Sequence, residues 1–181
     1  MAIRICCVNS GSDTARSKSA LKLLSGKIVD GIITMDAFSK LPELTTLIGD
    51  APGFSARNML TKARFPGVGI NDVDAAQSVI SHLVDKGYRR IALINHDLSY
   101  KYARLRERGY KAALHALSLE YQAVEYASEL SSSAGIAAMK TLLAAEVKPD
   151  AVFAVSDTLA AGAMRAIFDA GLQIPQDIAV V

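Results

Sequence analysis

Short apolar runs alternate with helix-period stretches along almost the whole chain, and this rhythm limits the possible folds more than any other feature. It is clearest from Asp72 onward. Ala75, Ala76, Val79, Ile80, Leu83 and Val84 recur at helical spacing, and Gly87 closes the segment. Residues 90–94 read as a strand, followed by a helix carrying Leu105, Tyr110, Ala113, Leu114 and Leu117. Residues 121–126 form a weaker strand, and Ser133 opens a helix with Ile136, Met139, Leu142 and Leu143. Residues 151–155 are another strand. Ser156 or Asp157 then caps a helix that runs through Ile167 and ends at Gly171, and residues 178–181 start a last strand.

The first part of the chain is less regular. Residues 4–8 read as a strand, and Ser12 or Asp13 caps a helix with the stripe Ala20, Leu21, Leu23 and Leu24, stopped by Gly26. Residues 29–35 (VDGIITM) are a continuous apolar run, which predicts a strand buried on both faces. Residues 44–48 and 68–70 suggest two more strands. Between them, residues 50–66 carry Gly, Pro, Asn and Ser and predict an irregular excursion. Strands that alternate with helices of about a dozen residues make βαβ units, so the class is α/β with doubly wound parallel sheets.

The 181 residues suffice for one domain or two small lobes, and an apolar share of 51% is enough for a buried core. No apolar run approaches the roughly 20 residues of a membrane span, and no export signal opens the chain, so a cytoplasmic location is expected. The net charge of +2 is spread without a basic block, which predicts no polyanion-binding surface within these residues. Cys6 and Cys7 are neighbours that would point to opposite faces of a strand, so they read as inert, buried or half-buried thiols.

Enzyme signatures are missing. In the glycine cluster Gly67-Val68-Gly69-Ile70-Asn71-Asp72, the third glycine of a dinucleotide loop is replaced by Asp72, whose carboxylate would repel a pyrophosphate. There is neither a GxxxxGK[ST] loop nor a GxSxG elbow. His82 and His115 lie on helices. His96 follows a strand and could face a cleft, but no second base stands near it in sequence. The expectation is no catalysis, no cofactor and no metal.

Several stretches together resemble the effector core of the lactose-repressor (LacI/GalR) family. They are Val29-Asp30-Gly31-Ile32-Ile33, residues 72–93 (DVDAAQSVISHLVDKGYRRIAL) and residues 103–110 (ARLRERGY), then residues 149–153 (PDAVF), Ser156-Asp157, residues 160–163 (AAGA), Gly171, Ile174-Pro175 and residues 177–181 (DIAVV). Their order and spacing span nearly the whole chain. The resemblance implies a two-lobed, periplasmic-binding-protein-like fold in which residues 1–71 belong to a partial N-terminal lobe and residues 72–181 to an incomplete C-terminal lobe. A small effector, a sugar or sugar phosphate, would lie between the lobes and modulate operator binding by a homodimer. A transport-type sugar-binding protein is the alternative with the same fold.

In open parallel sheets, ligands sit beyond the carboxyl ends of the strands, so residues that follow strands are the candidates. The resemblance points to Arg106, whose guanidinium offers a fixed fork of donors to hydroxyls or a carboxylate. It also points to Asp50, after the LIGD strand, and to the pair Ser156 and Asp157, which could equally serve as helix caps. Tyr100 and Tyr102 lead into Arg106 and could stack on a ring. Ser10, Asp13 and Asp36 follow the first two strands. Asp72 reads as structural capping. Leu130 stands near the family's aromatic platform, which favours a sugar over a purine. The family's helix-turn-helix, first core strand and helix, and closing Gly-aromatic-Asp turn have no counterpart, so the resemblance implies a core truncated at both ends.

Overall fold

The computed structural model describes residues 7–8, 14–35, 52–56 and 67–181. The chain divides into two compact units, Met1–Ile70 and Asn71–Val181. The expected strand at residues 44–48, the caps Ser12 and Asp13, and most of the expected strand at residues 4–8 lie outside the described residues.

In the first unit, helix α1 (Thr14–Ser25) buries Leu21, and the chain leaves it through hydrogen bonds from Gly26 N to Lys22 O and from Ile28 N to Leu23 O. Three short parallel strands follow: β1 (Ile32–Thr34), β2 (Gly53–Ala56) and β3 (Gly67–Val68), in the order β1-β2-β3.

Three sequence expectations fail here. Strand β2 falls inside the stretch expected to be irregular. Gly-Phe-Ser-Ala has no alternating signal and becomes a strand by pairing on both edges, with Ile32 opposite Gly53 and Ser55 opposite Gly67. The VDGIITM run is not buried on both faces. Thr34 is buried, but Ile33 on the opposite face of β1 is 76% exposed. Cys7 is exposed rather than half-buried, as is its neighbour Val8.

The second unit follows the sequence rhythm closely. Its elements are α2 (Asp72–Asp85), β4 (Ile91–His96), α3 (Lys101–Ala116), β5 (Ala123–Ala127), α4 (Ser132–Ala144), β6 (Ala151–Ala154), α5 (Asp157–Asp169) and β7 (Ala179–Val180). All pairings are parallel, in the order β5-β4-β6-β7. Leu93 of β4 stands between Val124 of β5 and Phe153 of β6. The step from β4 to β5 runs one way across the sheet and the later steps run the other way. Right-handed crossovers therefore place α3 on one face and α4 and α5 on the other. Helix contacts agree, since α2 packs on α3 and α4 packs on α5. Every residue of β4 is buried, as a central strand covered on both faces requires.

The helix ends are chemically explicit. Gly87 and Gly171 take positive φ values of 99° and 75° just beyond α2 and α5, a conformation that costs glycine nothing. Two caps differ from expectation by a residue or two. Ser131, not Ser133, caps α4 by accepting from Ala134 N at 3.1 Å. Asn71, not Asp72, caps α2, which frees the Asp72 side chain for another partner.

Candidate functional site

The strand order reverses between β4 and β6, and in open parallel sheets ligands bind at the carboxyl edge beside such a reversal. Arg106 projects there from the second turn of α3. Its Nε donates to Asp72 Oδ1 at 2.9 Å and its Nη1 donates to the Val155 carbonyl, just past β6, at 2.6 Å. Tyr102, one helical turn earlier, places its ring 5.4 Å beneath the guanidinium carbon. The Arg106 side chain is 19% exposed and that of Asp72 is 10% exposed. These bonds use two of the five N–H donors and fix the plane of the fork, and Nη2 has no bond to the described residues.

Tyr102 is itself held. Its hydroxyl and His96 Nδ1 share a 2.6 Å hydrogen bond, and the His96 ring stacks on Tyr100 with centroids 4.6 Å apart. His96 ends β4 and is buried. Desolvation lowers its pKa below the ordinary 6.5, against an opposing pull from Asp97, so the ring is neutral at neutral pH. The loop carrying Tyr100 is pinned as well: Ser99 N donates to Asp97 Oδ1 at 2.6 Å, and Arg104 Nη1 donates to the carbonyls of Leu98 and Ser99. Below this layer lies fully buried Asn95, whose Nδ2 donates to Ala103 O at 3.1 Å and Glu107 Oε2 at 3.2 Å.

Of the residues singled out from sequence, Arg106, Tyr100 and Tyr102 come together. Ser156 adjoins them through Val155, and its Oγ caps α5 by accepting from Leu159 N at 3.3 Å. Asp157 is exposed in the first turn of α5. Ser10, Asp13, Asp36 and Asp50 lie outside the described residues. Leu130 is 43% exposed, and its carbonyl accepts from Thr158 Oγ1 at 3.3 Å, tying the start of α4 to that of α5.

Two participants were not singled out as such. Asp72, read as a cap, pairs with Arg106 instead, and nothing in a sequence announces an ion pair across 34 positions. His96 did carry a signal, as the last residue of a strand with an aromatic residue six positions on. The arrangement is a rigid set of donors beside stacked rings. Among the described residues, no group of three His, Cys, Asp or Glu side chains could hold a metal ion.

This fold and edge define a ligand-binding domain, and sequence comparison gives the family. The profile of the periplasmic binding protein-like domain family matches residues 80–181, more than half of the chain. The chain belongs to that family, in the form that serves as the effector core of lactose-repressor-type regulators. The ribose operon repressor of Escherichia coli (strain K12) is 31% identical over 183 residues, covering 96% of this chain and 53% of the repressor. A crystal structure of an uncharacterised protein from Actinobacillus succinogenes is 51% identical with a TM-score of 0.91, covering 98% of this chain and 67% of that one. A complex of the transcriptional regulator CelR with cellobiose is 28% identical with a TM-score of 0.78, covering 93% of this chain and 53% of that one. The chain thus spans about half the length of the curated relatives it matches. No described helix is long and apolar enough to cross a membrane.

Proposed function

We propose that this chain is the effector-binding core of a DNA-binding transcription regulator, that it performs no catalysis, and that its effector is a carbohydrate. The observation that carries this reading is the Arg106 fork, held at the sheet's switch point by Asp72, Val155 and Tyr102. Tyr100 and Tyr102 offer ring faces to a sugar, and Ser156 and Asp157 line the neighbouring helix start. The family resemblance adds Asp50, Ser10, Asp13 and Asp36 as further proposed effector contacts. In this reading residues 1–71 and 72–181 belong to the two lobes of a cytoplasmic homodimer that reaches operator DNA through a separate N-terminal domain. Effector and operator are then linked by a coupling of about 1–3 kcal/mol. That the relatives matching nearly the whole chain are repressors favours the regulator over a transport-type binding protein.

The test is a thermal-shift titration with D-ribose, D-glucose and cellobiose on the protein at its full natural length, with Arg106→Lys in parallel. Lysine keeps a cation for Asp72 but loses the planar fork. A sugar at about 100 times its Kd stabilises the parent by about 2.7 kcal/mol. The variant should bind it at least tenfold more weakly, with its ligand-free melting temperature little changed. Equal binding by both proteins would remove Arg106 from the site, and no response to any sugar would refute the effector class.

A further inference from the structure

The Arg106 guanidinium is not a free cation at the carboxyl edge of the sheet. Its Nε is paired with the Asp72 carboxylate at 2.9 Å, and the two side chains are only 19% and 10% exposed. A closely paired, poorly hydrated arginine and aspartate present a dipole rather than a net charge. An anionic ligand that reached for Nη2 would therefore gain attraction from Arg106 and meet repulsion from Asp72 a few ångströms behind it. A neutral hydroxyl would accept the same hydrogen bond without that opposition.

The other charges on this edge do not alter the balance. Asp97, Glu129 and Asp157 each lie just beyond a carboxyl end of β4, β5 or β6. Against the four carboxylates, counting Asp72, stand Lys101, Arg104 and Arg106. Arg104 is turned to the carbonyls of Leu98 and Ser99. Among the described residues, the edge therefore carries no excess of positive charge.

We propose that Asp72 is a specificity-determining residue that tunes this site to neutral polyhydroxylated ligands and against phosphorylated or carboxylated ones. The proposal rests on the reading of Arg106 as an effector contact. Asp72 acts through Arg106: it fixes the plane of the fork and cancels its charge, while the Val155 carbonyl holds the fork's second point.

The experiment compares D-ribose with D-ribose 5-phosphate, and D-glucose with D-glucose 6-phosphate and D-glucuronate. Binding is measured by thermal shift and calorimetry on the parent, Asp72→Asn and Arg106→Lys at full natural length. The asparagine keeps the size and an acceptor oxygen, and the ligand-free melting temperature reports whether each variant folds. The parent should prefer the neutral member of the pair it binds by at least tenfold. Asp72→Asn should narrow or reverse that preference by at least tenfold, and the recovered anion binding should weaken with added salt, a readout a purely structural Asp72 would not move. A parent that prefers the anionic member overturns the proposal, as does an Asp72→Asn protein with unchanged selectivity; in both cases Arg106→Lys still weakens binding. If Arg106→Lys binds like the parent, or no probe binds, the underlying reading of the site falls and this proposal falls with it.

Discussion

The two faces of the second unit's sheet are built by different means. On the α4–α5 face, helices meet through glycine. A side chain at Gly135 would collide with the Leu159 carbonyl, and one at Gly162 with the Ser132 carbonyl and, at 2.8 Å, the Ile136 nitrogen. The α2–α3 face has a close glycine of its own, Gly109 against the Val73 carbonyl, but adds bonded polar groups: Asp72 to Arg106, and buried Asn95 with the half-exposed Lys111 and Tyr126 to Glu107. One face gains stability from close, nearly featureless packing. The other combines close packing with side-chain bonds that fix directions, and the candidate site hangs from it. Rigidity that positions a ligand contact needs directional partners, which close packing alone does not supply.

The largest effect should follow from breaking the close-packed face. Gly162→Ala puts a methyl where backbone atoms of α4 already stand, so the helices must separate along their whole contact. The expected loss is about 3 kcal/mol in urea unfolding, with the remaining folded protein binding its ligand normally. A loss below about 1 kcal/mol would mean that α4 and α5 slide past each other easily, and the contrast between the faces would disappear.

Breaking the directional face should cost somewhat less overall but act on the site. Glu107, buried at 7% exposure, accepts from Asn95 Nδ2 at 3.2 Å, Lys111 Nζ at 2.6 Å and Tyr126 Oη at 3.0 Å. Glu107→Ala strands part of fully buried Asn95, which keeps only the Ala103 carbonyl for its Nδ2, and should cost about 2 kcal/mol. Because Asn95 also accepts from His96 N at 2.9 Å, the rings above should loosen and ligand affinity should fall beyond what stability explains. Affinity that stays at the parent value once the folded fraction is corrected for would show that the network serves stability alone.

How much of this was legible in the sequence also divides by region. In the second unit, periodicity and glycine stops agree, so the elements could be read to within about two residues of their ends. Strand β2 could not, since Gly-Phe-Ser-Ala is a strand only because β1 and β3 flank it. Arg106 is singled out in the sequence because the resemblance fixes its register. Its anchors are not, because the Asp72 contact depends on how α2 packs across α3, and the Val155 contact on a backbone carbonyl that has no sequence signature. The caps at Ser131 and Asn71 were missed for a smaller reason: each has a neighbour of similar capping chemistry, and only the backbone conformation chooses between them.

The smallest effect should also be the most selective, because only the directional face carries a buried titrating ring. His96 lies between Tyr100 and Tyr102, with Asp97 beside it, the Ser128 backbone bonded to it and Arg106 beyond the Tyr102 ring. Burial lowers its pKa in the folded protein below the 6.5 of an open chain. Between those two values the unfolded chain holds a proton that the folded one lacks, so stability rises with pH. The contribution is complete above about pH 6.5 and is lost as pH falls through the window, at up to about 1.4 kcal/mol per pH unit. His96→Gln keeps a polar partner for the Tyr102 hydroxyl but cannot titrate. Urea unfolding at pH 7 and pH 5.5 should show the parent losing up to about 1 kcal/mol more than the variant. Equal losses would mean that the ring takes its proton as freely in the folded state as in the unfolded one, and that the stack above β4 is open to water.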